Sequence, residues 1–451
     1  MRLVRPILGL FLVVMSRTGI ADSYIFTDVS VVPMDQEQVL HDQSVIIRDG
    51  IITHIGASFT TDVPFGAQEI DGRGLFLMPG LSDMHTHIWD QRDLELFVVN
   101  GVTMIRIMSG GPGYLRIRRH VSQGKLFGPM IYTAGPFIDG PDPVWPLSDV
   151  VSKPAEAEAV VKDQWGRGYD FLKVYDGLSP PAYRAVMGAA RKYGMRVIGH
   201  VPKRVDIQTA LELKQSSIEH LSGYGRALRS FDQHFRALSS GKLSHKEQQR
   251  MRYLAVQTKA AGVWNCPTLV VYQRWRKGSA AEALRSQRGI DYVAPGMLAA
   301  WQPGKSYVDD FADHEIAAVR AGEHGRKEMV RALHQAGAKL LLGTDTPNPW
   351  VVPGFSVYEE MRNLRELGLR PYEVLTIATR NAAEFLNMSD TVGTISVGKR
   401  ADMVLLDGNP LDDLKNVQRI EGVMLRGKWL PREALAALLE KRQHDLSKTL
   451  H

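Results

Sequence analysis

Short apolar runs broken by turn residues dominate both ends of the chain, whereas the middle alternates apolar runs with longer amphipathic stretches. Between residues 24 and 78, the segments YIFTDVSVVPMD, QSVIIRDGIITHIG and QEIDGRGLFLMPG show strand-like alternation punctuated by Asp, Gly and Pro. The segment TVGTISVGKRADMVLLDGNPLDDLKNVQRIEGVMLRGKWL has the same texture. Matching ends around a different middle predict that both ends meet in one small β-sandwich domain. In the middle, eight apolar runs alternate with helical patterns, at 75–83, 102–109, 130–137, 171–176, 196–201, 217–221, 263–270 and 339–345. This predicts an α/β fold, a (β/α)8 TIM-like barrel with its active site at the C-terminal ends of the strands.

The connections 222–262 and 271–338 are long and rich in charge and helix formers, and read as insertions that build lids or substrate walls. PREALAALLEKRQHDLSKTL closes the chain as an amphipathic helix. The expected division is an export signal at 1–21, the N-terminal part of the β domain at 22–78, the barrel at 79–387, the C-terminal part of the β domain at 388–433, and a helix at 434–451.

Composition narrows the classes. A length of 451 residues suits one large domain and one minor one, and 44% hydrophobic with 23% charged residues excludes a disordered chain. The net charge of +6 is spread without a long Lys/Arg block, which argues against nucleic acid as a partner. The first residues run from a basic MRLVRP through apolar ILGLFLVVM to small residues ending at Ala21, the pattern of a signal peptide. The protein is therefore expected to be exported, periplasmic or secreted. The apolar core is too short to span a bilayer, so no stable membrane insertion is expected after cleavage, an uncleaved anchor being the alternative. Cys266 is the only cysteine, so no intrachain disulfide supports the fold. A homo-oligomer stays open, because the outer helices show no clear self-complementary stripe.

The polar residues at the predicted strand ends share one chemistry. The first run gives His85 and His87 in LSDMHTHIWD, the fourth Lys173 in FLKVYDG, and the fifth His200 in VIGHVP. The sixth gives His220 in SIEHLSGYG and the eighth Asp345 in LLLGTDTPN. His-X-His on a strand turns both imidazoles to one side, because side chains alternate with a period of two. At a barrel mouth two neutral imidazoles can grip one cation. A single such histidine is more often a hydrogen-bonded core residue. The set on separate strands departs from that reading.

Lys173 is the odd member, since an ammonium offers a metal no lone pair. Its ordinary reading is an ion pair with Asp170 or Asp176. Its neighbours Leu172 and Val174 are apolar, however, and burial makes the neutral amine accessible. A neutral amine adds carbon dioxide to give a carbamate, and that group can bridge two cations.

These residues, with PGLSDMHTH, GTDT and the closing VGTISVGKRADMVLLDGNPL, resemble the amidohydrolase superfamily. The likeness runs from about residue 24 to 433 and looks most like the imidazolonepropionase-related and prolidase-like branch. It implies two divalent metal ions, zinc fitting the donor set best. His85, His87, an N6-carboxylysine formed on Lys173 by carbon dioxide, and Asp345 would hold the more buried ion. The same carbamate with His200 and His220 would hold the more exposed one. The likeness further implies a bridging hydroxide as nucleophile and Asp345 as the catalytic proton carrier. One departure is visible: where the branch often has an Arg-Asp pair after the second strand, Arg106 is followed by Ile107.

Substrate contacts are expected from the small-molecule mouth. Tyr224 in HLSGYG, Tyr175 and Trp350 are candidates there, and Arg274 in VVYQRWRKG can pair with a substrate carboxylate through its planar fork. Their ordinary readings are rim packing and a solvated helix charge. The leading function is an amidohydrolase that cuts a C–N bond in a dipeptide, an N-acyl amino acid or a cyclic amide. A mononuclear deaminase or ring-opening hydrolase on the same fold is the alternative. A metal-free binding protein is the reading without an enzyme.

Overall fold

The computed structural model describes residues 23–232, 235–237, 242–275, 282–302 and 313–448. The expected export signal lies outside the described residues. Strands β1 (Ser23–Val31), β2 (Leu40–Arg48), β3 (Ile51–Ala57), β4 (Gln68–Asp71) and β5 (Phe76–Pro79) come from the N-terminal end. The middle supplies β6 (Leu81–Thr86), β7 (Val102–Ile107), β8 (Met130–Asp139), β9 (Asp149–Val150), β10 (Phe171–Val174), β11 (Arg196–Gly199), β12 (Ser217–Glu219) and β13 (Trp264–Cys266). The C-terminal end adds β14 (Met403–Leu406), β15 (Ile420–Leu425) and β16 (Lys428–Pro431).

Both ends share one sheet in the order β16-β15-β14-β5-β1-β2-β3, with β4 also on β1. Tyr24 to Thr27 of β1 pair with β4, whereas Ser30 and Val31 pair with β5. Between these halves the register against β2 slips, where Asp28 takes a left-handed φ of 52°. The slip lets one strand serve two partners, so the sheet wraps a core of Phe26, Val45, Ile47, Leu77, Met403 and Met424.

The run 75–83, which reads as one strand, is two. Phe76–Pro79 pairs with β14 in the small domain, and Leu81–Thr86 pairs with β7 in the barrel. The chain crosses at Gly80, whose N–H bonds to Asp402 O at 2.9 Å while Leu81 N–H bonds to Gly101 O at 2.8 Å. A Cβ on Gly80 would stand 2.3 Å from Thr103 Oγ1. The pattern hid the break because both halves are buried, and buried strands read as one continuous apolar run.

The barrel sheet runs β13-β12-β11-β10-β8-β7-β6 in parallel. Segment 339–346 closes it, with parallel bridges from Leu340 to Asn265 and from Thr346 to Thr86. The eighth run thus stands in a strand's place, held by few ladder bonds. Helices Leu94–Val99, Pro112–Ser122, Ala157–Arg167, Pro180–Lys192, Ile207–Glu212, His245–Ala261, Glu323–Ala336 and Val357–Glu366 cover the outside. Two of them occupy the long connections, which therefore carry barrel helices as well as loop. Helix His245–Ala261 starts in a capping box between Ser244 and Glu247 and stops at Gly262, with φ of 69°. The closing helix Arg432–Lys448 is tied down by Arg442, which donates to Asp93 Oδ1 and Tyr292 O, both at 2.6 Å. Among the described residues no helix is long and apolar enough to cross a membrane.

The barrel interior is plugged by Met84, Met104, Phe171, Ile198, Trp264 and Leu341, with Phe385 stacked on Phe171 at 5.5 Å. Lys173 and His200 follow Phe171 and Ile198 by two residues, so on the same face they stand one layer above this apolar plug.

Candidate active site

Side chains from β6, β11, the end of β12 and the segment after Leu342 converge above the plug. His85 Nε2 and His87 Nε2 each lie 3.2 Å from Asp345 Oδ1, and His220 Nε2 lies 3.8 Å from Asp345 Oδ2. The His85 and His220 rings are 4.6 Å apart and the His220 and His200 rings 5.0 Å, centroid to centroid. Each histidine has its Nδ1 engaged: His85 by Glu219 at 2.8 Å, His87 by Ser109 at 2.9 Å, His200 by Asp176 at 2.8 Å, and His220 by Thr268 at 2.6 Å. Such contacts fix ring orientation and tautomer, as the outer partners of ligating histidines do.

Burial pushes the His87 imidazole down to about 4 and His220 well below the usual histidine range, so both are neutral at pH 7. Burial alone would raise Asp345, but its oxygens face the imidazoles of His85, His220 and His87, and the carboxyl is held well below its usual range. His85 Nε2 is buried and makes no hydrogen bond among the described residues, although Asp345 Oδ1 is 3.2 Å away. The neutral tautomer that donates Nδ1–H to Glu219 leaves a lone pair on that nitrogen. A lone pair aimed beside an anionic oxygen in a buried space is unfavourable by itself and is a ligand set for a cation. His85, His87 and Asp345 offer ligand atoms all within 4.8 Å of one another.

The backbone is strained at these positions. His220 and Asp345 both take left-handed φ of 60°, which costs non-glycine residues of order 1–3 kcal/mol each. Hydrogen bonds from His220 N to Cys266 O at 2.9 Å and from Asp345 N to His85 O at 2.7 Å hold them there. Gly343 gives the last segment room, since a Cβ on it would stand 2.7 Å from His85 Cβ.

Lys173 is buried beside this set. Among the described residues no carboxylate forms an ion pair with it: Asp170 is paired with Arg118 at 2.5 Å, and Asp176 with His200. Its Nζ lies 4.8 Å from the Phe137 ring centre and 5.9 Å from that of Tyr175. Burial pulls the amine down to about 8.

The sequence profile of the Amidohydrolase family matches residues 76–430. The chain belongs to the amidohydrolase family. It is 25% identical over 399 residues to an imidazolonepropionase of Brevibacillus brevis, covering 83% of this chain and 86% of that one. An imidazolonepropionase of Ralstonia nicotianae is 27% identical over 406 residues, covering 81% and 86%. The fold is similar to that of a bottromycin amidohydrolase, with TM-score 0.75, 27% identity and coverage of 94% and 90%. It is similar also to a putative prolidase from Bifidobacterium longum, with TM-score 0.70, 22% identity and coverage of 93% and 99%. This amidohydrolase is a hydrolase acting on carbon–nitrogen bonds.

The expected substrate contacts of this amidohydrolase divide sharply. Tyr175 stands at the mouth with its ring 4.3 Å from that of His200. Tyr224 does not reach it. His220 and Leu221 both take left-handed φ, and Tyr224 is buried with its hydroxyl on Thr258 Oγ1 at 2.8 Å. Trp350 is buried against Trp301, with ring centroids 5.8 Å apart. Arg274 is buried too, donating to Trp350 O at 3.0 Å, Gln287 Oε1 at 2.8 Å and Glu359, so its fork is already occupied. In the structure these three side chains hold loops together.

Glu219 and the partner of Arg106 do not stand out in the sequence. Arg106 is fully buried and donates to Met84 O at 2.5 Å, Ser217 Oγ at 3.0 Å and Glu219 Oε1 at 2.9 Å. Burial would raise Glu219, but the Arg106 charge and the His85 and Ser217 hydrogen bonds hold it well below the usual carboxylate range. The signal was present, since Ser217 and Glu219 alternate along β12 as inward-facing positions do. Their common partner is more than a hundred residues away in the chain, beyond what spacing can reveal.

Proposed function

We propose that this amidohydrolase is an exported, binuclear metal-dependent hydrolase of amide bonds in a dipeptide, an N-acyl amino acid or a cyclic amide. The observation that carries the reading is the meeting of His85 Nε2 and His87 Nε2 on one oxygen of Asp345, both at 3.2 Å. His85, His87 and Asp345 would hold one cation, His200 and His220 a second, and Lys173 as a carbamate both. Zinc suits imidazole and carboxylate donors together. Bound divalent cations would acidify water and polarise the scissile carbonyl.

The chain's own groups supply the rest. Lys173 has no anionic partner within ion-pair distance among the described residues, and its amine adds to carbon dioxide with loss of one proton. Asp345, ionised and central to the cluster, accepts the proton of the attacking water and delivers it to the leaving nitrogen. The apolar plug beneath and the buried histidines keep bulk water from competing for these groups.

A second reading has its own support. His220 Nε2 is 3.8 Å from Asp345 Oδ2, so His85, His87, His220 and Asp345 suit a single cation, as a ring-opening hydrolase or deaminase would need. The likeness to imidazolonepropionases favours that chemistry. A panel of dipeptides, N-acyl amino acids and cyclic amides, assayed before and after chelation with the metal content measured alongside, separates the two. Cleavage that needs about two ions per chain and falls on chelation supports the first reading, and full turnover at about one ion per chain supports the second.

A further inference from the structure

Between His87 and His200 the mouth of the barrel carries a strip of aromatic side chains that the proton and metal chemistry leaves unused. The His87 and Phe137 rings are 6.4 Å apart, Phe137 and Tyr175 4.8 Å, and Tyr175 and His200 4.3 Å, centroid to centroid. Tyr175 carries the strip outward, because its hydroxyl accepts a hydrogen bond from Trp145 Nε1 at 2.9 Å. The strip therefore passes histidines assigned to both cations and ends on loop 140–148.

That loop is held rigidly. Its ends are clamped by the pairing of Ile138 with Asp149 and of Asp139 with Val150. Asp139 Oδ1 accepts the N–H of Gly140 at 2.9 Å and of Gly177 at 2.6 Å, stitching the base of the loop to the turn that follows Tyr175. A Cβ on Gly140 would stand 2.2 Å from Gly177 O, so the stitch requires glycine. Pro141, Pro143 and Pro146 restrict the backbone further. Yet its tip keeps large apolar side chains in water: Val144 is 60%, Trp145 41% and Leu147 93% exposed. Apolar groups preorganised beside a catalytic site gain by being covered with a ligand's apolar part, at little ordering cost.

We propose that Trp145, backed by Tyr175 and Phe137, is the specificity-determining wall for an aromatic or large apolar group that the substrate carries next to its scissile C–N bond. The inference rests on the amide-hydrolase reading for the position of that bond. A ring on the substrate would meet the strip edge-to-face or offset-stacked, as such pairs prefer.

Three probes test it on the full chain as purified: N-acetyl-L-phenylalanine, phenylacetylglycine and N-acetylglycine, which put a phenyl ring on the amine side, the acyl side or neither. Isothermal titration of the wild type should find at least one aromatic probe bound about tenfold more tightly than N-acetylglycine. Trp145→Ala should collapse that ratio toward one, and Trp145→Phe should restore part of it. Circular dichroism checks that both variants fold, as expected for a half-exposed residue. Equal binding of all three probes by the wild type, no binding of any, or a ratio that survives Trp145→Ala overturns the proposal. Amine release from the same probes reads the hydrolase function separately. Cleavage without aromatic preference sinks the wall and spares the hydrolase, whereas aromatic preference without cleavage of any amide does the reverse.

Discussion

Glu219 Oε2 lies 2.8 Å from His85 Nδ1, and neither side chain reaches solvent. The other Glu219 oxygen meets Arg106 at 2.9 Å, so a buried ion pair sets the angle at which His85 presents Nε2 to Asp345. Arg106, which Ile107 follows where the Arg-Asp pattern has Asp, thus holds the acid behind a ligand.

Glu219→Gln removes the charge and keeps the shape. Metal affinity should fall by about 10–100-fold, as for other partners of ligating histidines. Leaving Arg106 buried without its anion should also cost about 3–5 kcal/mol of stability. The double variant Arg106→Met with Glu219→Met should recover much of the stability and none of the metal affinity, read by melting curves and metal titration. Recovery of both would reduce the pair to a core tie.

Lys173→Ala tests the carbamate. Wild-type protein reconstituted with 13C-bicarbonate should show a carbamate carbonyl signal in 13C NMR, which the variant lacks. Metal content should drop by about one ion per chain in the variant, because the bridge between the two cations is lost. Unchanged content and no labelled carbonyl in the wild type would favour the mononuclear reading.

Much of this was legible in the chain. The ligand-type residues could be listed because parallel strands end where their apolar runs end, and chemistry in a barrel collects at those ends. What escaped was direction. Tyr224 follows His220 by four residues, but two consecutive left-handed residues, His220 and Leu221, intervene, and its hydroxyl is buried on Thr258. Arg274 read as a solvated or substrate-facing charge because nothing local reveals that Glu359 and the Trp350 carbonyl fold onto it. Gly80 divided one apolar run between two sheets for the same reason, since burial is shared while pairing partners are distant.

Glu360 should give the protein a pH-dependent stability. Its carboxyl accepts the N–H of Leu269 at 2.8 Å and of Val270 at 2.7 Å, but burial outweighs these donors and pushes it up from 4.5 to about 7. The folded state then keeps a proton that the unfolded chain releases near 4.5, so this contribution falls as pH rises from 4.5 toward 7. The difference is at most about 3 kcal/mol. Glu360→Gln should show a smaller loss of Tm than the wild type between about pH 5 and about pH 8. Identical losses would show that another group sets the slope.

Arg442 anchors the closing helix through the buried Asp93. Arg442→Ala should cost about 3–5 kcal/mol, because Asp93 is left without its cation. Limited proteolysis should then cut within 432–448 before the barrel, and a cleavage pattern like that of the wild type would contradict the anchor.

The claim on which the rest depends is that His85, His87 and Asp345 cradle a divalent cation. Metal analysis of the wild type and a His85→Ala, His87→Ala variant, each stripped with chelator, reloaded with zinc and desalted, tests it most directly. About two retained ions per wild-type chain, and at least one fewer in the variant, is the predicted result. No retained metal in the wild type, or equal content in both, would contradict it.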